Sequence, residues 1–286
     1  MNPWASVYTW YLRRPEHPAK RRLERLLAAR LPSAGIVVDV SHGVRLRLRP
    51  HDWIEYVLLK DGAYEPLTLT FIERNLAPGD GAVLAGVNLG LHVVVASRAA
   101  GPAGRVLGVD PQWSALERTA EHLRLNACPP NTRLAAAALG RAEGMVVLNP
   151  PPEDNAGTAH LRTPGRGPFC APVMPLPRAW QHAWEQTSAP RLALIDVEGY
   201  ETEVLAGLDP AFRPDLLVVE EYDEFLRAMG SSAAHLRSTL AELGYTLSTI
   251  SGQPLSSPSQ LPEHNIVAVH ARCSRVQYVE AGDGGA

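Results

Sequence analysis

The sequence predicts an α/β protein: a mainly parallel sheet with helices on both faces. Three observations predict it. From residue 82 onward, short apolar runs alternate with helix-patterned stretches. Two of the runs end in turn-forming residues, Ala85-Gly86-Val87-Asn88-Leu89-Gly90 and Val109-Asp110-Pro111. A third, Leu192 to Ile195, exits into Asp196-Val197-Glu198-Gly199-Tyr200-Glu201, which carries three carboxylates within six residues. Ligands of open α/β sheets bind outside the carboxyl ends of the strands, so acidic chemistry is expected at that point.

The chain has 286 residues, enough for one large domain or two small ones, and its 45% hydrophobic and 20% charged residues are those of an ordinary soluble globular protein. A net charge of -3 gives no general pull toward nucleic acid. Cys128, Cys170 and Cys273 are widely spaced and form no C-x-x-C pair, which argues against a disulfide framework or a cysteine zinc site. A reducing cytoplasm is therefore the expected location. No apolar run approaches the ~18 residues of a membrane span, and Arg13 and Arg14 interrupt any signal-peptide core.

The elements follow in order. Residues 18 to 31 are basic and helical in pattern, with Leu23, Leu26, Leu27 and Leu31 on one face. They read as a peripheral helix packed on the domain, or as one that meets a membrane surface or a partner. Ile36 to Val40 and Val44 to Leu48 form two strands around a His42-Gly43 turn. A helix covers Pro66 to Asn75 and stops at Pro78-Gly79-Asp80-Gly81. The alternation then gives strand Ala82–Ala85, helix His92–Ala100, strand Arg105–Val109, helix Ser114–Asn126 and strand Arg133–Ala138. Met145 to Leu148 follows that strand after only Gly140 to Gly144. A parallel crossover needs about a dozen residues, so this run reads as an antiparallel hairpin excursion. Residues 149 to 177 are rich in proline and glycine and read as a lid-like loop. Ala179 to Thr187 is a crossover helix into strand Leu192–Ile195. Then come helix Glu201–Leu208, strand Leu216–Val219 and helix Ala233–Leu243, closed by Gly244. Tyr245 to Ile250 and Asn265 to Val269 make a closing antiparallel pair, and the glycine-rich end after Glu280 reads as disordered.

The glycine turn after the first strand lets the backbone approach a ligand closely. Asp110, at the end of the second strand, is the acid that accepts hydrogen bonds from an adenosine ribose in Rossmann-like sheets. It lies 24 residues after Gly86, near the ~20 expected of this pair. No G-x-G-x-x-G offers a cradle for the pyrophosphate of NAD, and no G-x-x-x-x-G-K-[ST] binds ATP phosphates. The turn suits the amino-acid end of S-adenosylmethionine better.

These residues resemble the FkbM-type S-adenosylmethionine-dependent methyltransferases over about residues 36 to 270. The likeness runs through Arg49-Pro50, Asp52-Trp53, Gly62-Ala63-Tyr64-Glu65-Pro66, Pro78-Gly79-Asp80, the Gly86–Gly90 turn, Asp110-Pro111, Leu125-Asn126, Asp196–Glu201 and Val218-Val219-Glu220. The resemblance implies a class I methyltransferase fold, seven strands with the last antiparallel, and methyl transfer, usually to a hydroxyl of a small molecule, sugar or lipid. The expected division is an extension of helix and β-hairpin at 1–65, a cofactor-binding domain at 66–272 with the lid at 149–177, and a flexible tail at 273–286. Tyr64, Glu65, Gly86, Asn88, Gly90, Asp110, Pro111 and Leu139 are the candidate cofactor contacts. One position departs from the family: Leu84 stands where an aspartate usually holds the methionine ammonium. Leu84 is expected to weaken cofactor binding, Leu84→Asp to restore it, and Glu65 is the candidate for the missing charge.

Asp196 is the candidate to face the methyl group and acceptor, and Glu198 the second candidate, as base or hydroxyl ligand. Glu201 either lines the substrate or caps the helix that follows. Glu220 and Glu221 are further candidate acceptor contacts, or solvated strand ends. His160 and His264 are either bases working near neutral pH or ordinary surface histidines. A divalent metal on Asp196 and Glu198 is an alternative, although no further oxygen ligands are evident. Two rival functions remain: an N-methyltransferase, from Asn149-Pro150-Pro151, and a scaffold that keeps only the fold. The acceptor's identity and the oligomeric state are not readable from the residues.

Overall fold

The centre of the fold is set by apolar runs that are hydrophobic at every position, the pattern of strands buried on both faces. The computed structural model describes residues 3–50, 52–148, 169–255 and 261–280. The chain opens with α1 (Pro3–Leu12) and α2 (Lys20–Ala28), then the hairpin β1 (Ile36–Val40) and β2 (Val44–Leu48). Next come α3 (Trp53–Asp61) and α4 (Pro66–Asn75), followed by β3 (Gly81–Ala85), α5 (Leu91–Ala100), β4 (Arg105–Asp110), α6 (Trp113–Leu125) and β5 (Thr132–Ala136). Three short strands follow, β6 (Ala138–Leu139), β7 (Gly144–Leu148) and β8 (Phe169–Met174), and then α7 (Leu176–Trp184). The last third contains β9 (Leu192–Ile195), α8 (Glu201–Ala206), β10 (Leu216–Glu220), α9 (Asp223–Ala228), α10 (Ala233–Glu242), β11 (Tyr245–Ser248) and β12 (Asn265–His270).

Seven strands form the main sheet in the order β11-β12-β10-β9-β3-β4-β5. β12 runs antiparallel to both its neighbours, and the remaining pairings are parallel. This is the expected sheet with its last strand reversed. Successive residues of each central strand point into opposite cores. Ala82, Leu84, Leu192, Leu194, Leu216 and Val218 pack on the side of α4 and α5. Val83, Ala85, Ala193, Ile195, Leu217 and Val219 pack on the side of α7, α8 and α10.

Three expectations need correction. β7 is antiparallel and lies outside the main sheet, as its short connection requires, but its partner is not the strand before it. It pairs with β8 across the intervening segment, and β6 joins β8 in parallel. Of the expected lid, residues 169 to 177 form β8 and the start of α7, while 149–168, with Asn149-Pro150-Pro151 and His160, lie outside the described residues. Residues 273–280, expected to be flexible, run along the domain. Val279 is buried, the Gln277 amide donates to Asn75 Oδ1 at 2.8 Å, and Arg275 pairs with Asp80. The expected disorder after Glu280 also falls outside the described residues. No helix among the described residues is long and apolar enough to cross a membrane.

Candidate active site

Strand register builds the site. Ala85 on β3 pairs with Val109 on β4 and with Ile195 on β9, and Ile195 pairs with Val219 on β10. One residue further along, Asp110, Gly86, Asp196 and Glu220 therefore stand abreast at the carboxyl edge of the sheet. Asp196 has Gly86 on one side and Glu220 on the other.

Gly86 is required by that row. Its φ is +82°, and a Cβ there would lie 1.7 Å from the Asp196 carbonyl oxygen. Gly90, also left-handed, is fixed by packing: its Cβ would meet Thr119 of α6 at 2.7–2.9 Å. Asp110 holds the turn between them. Its Oδ2 accepts the amides of Val87 at 3.1 Å and Asn88 at 3.4 Å, and its Oδ1 accepts that of Gln112 at 2.8 Å. Burial raises its pKa to about 6, against the pull of those three amides. Oδ2 already takes two amides, whereas Oδ1 takes one and keeps a second acceptor site, so ribose binding at Oδ1 is compatible with this role.

Above the row lies a pocket of about 50 Å³ lined by Ile54, Tyr64, Gly86 to Leu89, Leu91, His92, Asp196, Glu198 and Glu220. Glu198 has a left-handed backbone, φ 57°, and a buried Oε2 with no hydrogen-bond partner. Burial raises its pKa to about 8, helped by the charges of Asp196, Glu201 and Glu65. Burial and the charge of Glu65 raise Asp196 to about 6. Glu220, also with an unpartnered buried oxygen, is pushed well up by burial and then by Asp196 and Glu198. Tyr64 is raised by burial and by the neighbouring carboxylates.

Glu65 and His92 form the pocket's one ion pair among the described residues, Nε2 to Oε2 at 3.1 Å, each side chain under 15% exposed. Its alignment falls short of a hydrogen bond. Burial lowers the His92 pKa, but Glu65 and the more distant acids outweigh it, so the net shift is upward. The fold presents Glu65 at the left-handed residue before α4, whose first amides are capped from across the chain. Glu263 accepts from Leu67 N and Thr68 N, both at 2.8 Å, and from Thr68 Oγ1 at 2.7 Å.

The structure thus gathers Tyr64, Gly86, Asn88, Asp196, Glu198 and Glu220 in one pocket, with Glu65 and Asp110 beside it. It does not bring the other candidates there. Glu201 is 1% exposed, and its Oε1 accepts the amides of Val197 at 3.0 Å and Gly199 at 3.1 Å, so it holds the acidic loop in place. Glu221 pairs with Arg237 of α10 at 2.5 Å. Leu139 is buried in the core on the α7 side, and Pro111 and Gly90 do not line the pocket. Leu84 is fully buried in the core on the α4 side and does not reach the pocket either. An aspartate there would meet leucines rather than an ammonium, which corrects the expectation that it would tighten binding. His264 stacks edge-on against Tyr222. His92 was not anticipated; only its place at the start of the helix after the glycine turn hinted at it. Among the described residues no group of three or more His, Cys, Asp or Glu is arranged to hold a metal ion.

A reversed final strand on a parallel sheet, with a glycine turn, an acid ending the next strand and an acidic pocket at one edge, defines a class I methyltransferase. The chain belongs to the FkbM methyltransferase family: the model of the methyltransferase FkbM domain matches residues 85–247. Among solved structures it is similar to methyltransferase FkbM from Methylobacillus flagellatus KT, at 14% identity and TM-score 0.46, covering 94% of this chain and 58% of that one. It is also similar to the O-methyltransferase TomG from Streptomyces achromogenes, involved in tomaymycin synthesis and solved with SAM, at 13% identity and TM-score 0.43, covering 72% of this chain and 78% of that one. An rRNA methylase from Streptococcus thermophilus gives 12% identity and TM-score 0.39, covering 71% of this chain and 94% of that one. No curated protein matches the chain.

The methyl donor is S-adenosylmethionine, and the donor set fits its cationic end. Two buried carboxylate oxygens lacking partners, on Glu198 and Glu220, belong to a pocket lined by three acids and one histidine, and that histidine is already paired with Glu65. Such a set is relieved by a positive charge. The volume is well below the ~300 Å³ at the lower end of ligand pockets, so the whole cofactor binds only if the pocket widens.

Proposed function

We propose that this enzyme methylates a hydroxyl oxygen of a small molecule, sugar or lipid, with Asp196 and Glu198 as its catalytic residues. When bound, the cofactor supplies an electrophilic methyl group on a sulfonium. The protein's task is to place the acceptor oxygen in line with it and to take the hydroxyl proton as the oxygen–carbon bond forms. Glu198 suits the proton's destination: a base works best with a pKa near the operating pH, and its free Oε2 belongs to the pocket. Asp196, more acidic and central in the row of strand ends, positions the acceptor and faces the donor's positive charge. Tyr64, Glu65 and Asn88 hold the methionine end, and Asp110 the ribose. The single observation that carries this reading is the unpartnered Glu198 oxygen beside Asp196 and Glu220 in one pocket. The three free thiols fit a reducing compartment, the cytoplasm.

The test has two stages. Calorimetric titration with S-adenosylhomocysteine, with NAD as control, should give micromolar binding of the first alone. Transfer of a labelled methyl group is then followed over a panel of hydroxyl and amine acceptors. Label on hydroxyls supports the proposal; label on amines alone overturns the oxygen assignment.

A further inference from the structure

We propose that α1 and α2 form a docking surface for an anionic lipid bilayer. The two helices make an antiparallel hairpin at the edge of the domain. Lys20 Nζ, at the start of α2, donates to the Arg14 carbonyl just after α1, and Arg30, just after α2, lies over the Trp4 ring near the start of α1. The hairpin has an anchored side, where Tyr8, Leu12, Leu27 and Leu31 pack into the main core.

Its other side is apolar and exposed among the described residues. Trp4, Val7 and Trp10 follow at three-residue spacing on α1, and Trp10 is 56% exposed. Leu23 and Leu26 are exposed on α2, and Arg30 follows Leu26 by four residues, one helical turn on, just after the helix. Because the Arg30 guanidinium reaches over Trp4, the apolar strips of the two helices adjoin. Tryptophans and leucines of this kind, flanked by long basic side chains, are the makeup of helices that lie in a bilayer interface. Arginine stems cover apolar surface while their heads remain at headgroup level.

Charge identifies the lipid. Residues 1–31 hold seven arginines and lysines against two glutamates, a net +5, while the rest of the chain has twenty basic residues against twenty-eight acidic ones, a net -8. The guanidinium groups of Arg21, Arg22 and Arg25 are exposed and make no ion pair among the described residues. An anionic surface therefore attracts the hairpin and repels the remainder, which orients the molecule on it. This surface is separate from the pocket and does not depend on the acceptor proposed above.

The experiment is co-sedimentation of the full chain with vesicles of phosphatidylcholine containing phosphatidylglycerol, and with pure phosphatidylcholine vesicles. Binding to the anionic vesicles, weakened by salt, is expected. Two variants, Trp4→Ser with Trp10→Ser, and Arg21→Glu with Arg22→Glu and Arg25→Glu, should each weaken it by about tenfold or more. Both should keep the wild-type circular dichroism and binding of S-adenosylhomocysteine, since these residues lie outside the pocket. No sedimentation with anionic vesicles at low salt overturns the proposal, as does equal binding to neutral vesicles or binding indifferent to either variant. A concentration-dependent dimer of the wild type that the tryptophan variant loses would assign the face to a second copy of the chain instead.

Discussion

Asp196 and Glu198 are two residues apart, yet their surroundings give them different acidities. Asp196 continues a strand and faces Glu220 across the sheet edge; Glu198 follows it in a left-handed turn with one oxygen unpartnered. The pair separates testably. Asp196→Asn and Glu198→Gln should each leave S-adenosylhomocysteine binding within about threefold, yet lower turnover at least tenfold, toward the ~100-fold or more typical of a lost general base. Only Glu198→Gln should also abolish the rise in rate that follows deprotonation near pH 8. Turnover against pH, beside calorimetry, checks this, and an unchanged profile in Glu198→Gln would remove it as the base. Leu84 calls for an opposite experiment. It is fully buried among apolar side chains, level with Leu194 across the sheet. Leu84→Asp should destabilise the fold by roughly 2–4 kcal/mol, because its carboxylate gains no partner, without tightening the cofactor. A denaturation midpoint equal to wild type would mean that the pocket reaches residue 84.

At the scale of elements, the wall of the pocket depends on how α4 begins. Pro66 fits the first turn, where its missing amide costs nothing, but the next two amides are capped by Glu263, which lies just before β12. A carboxylate there also complements the helix dipole. Glu263→Ala should cost about 1–2 kcal/mol. It should raise hydrogen exchange at Leu67 and Thr68, beside the Tyr64-Glu65 wall; unaltered exchange at those amides would show that the cap is dispensable. No local pattern announces such a contact, since its partners are 195 and 196 residues apart. What was legible was local. Pro66–Asn75, β3, β4 and β9 follow from period, apolar run and glycine stops, and strand register then carries Asp110, Gly86, Asp196 and Glu220 into one row. α3 was missed although its ends are marked, by Asp52 accepting from the Ile54 and Glu55 amides and by left-handed Gly62. β7 showed the shortness of its preceding connection, which excludes a crossover, but not its partner β8. Glu201 and Glu221 look alike beside Glu198 and Glu220 in sequence. Only the fold turns one into a loop brace and the other toward Arg237.

For the whole molecule, the pocket's surplus of acid makes stability depend on pH. Glu198 and Glu201 have folded pKa values of about 8 and about 7, and Glu220 is raised well above its ordinary value, in each case chiefly by burial. Between the ordinary value near 4.5 and these raised values, the folded state keeps protons that the unfolded chain has released. It then binds more protons than the unfolded state, so stability falls as pH rises. His92 acts in the same direction. Its pKa is raised on balance by Glu65, so its contribution is complete below about 6.5 and is lost as pH climbs through the folded value. Below 6.5 the sense becomes mixed, because His42 and His122, lowered by burial, resist protonation in the folded state. The clean window is therefore pH 6.5 to 8.5. The melting temperature in scanning calorimetry should drop across it by a few degrees, on the order of 1–2 kcal/mol of stability. Glu198→Gln keeps the side chain neutral at every pH, so it should flatten part of that slope and be more stable than wild type at pH 8.5. A melting temperature that is level or rising over the window would mean that the carboxylates already find counter-charges or water in the folded protein, and the acidic pocket would lose its reason to draw in a cation.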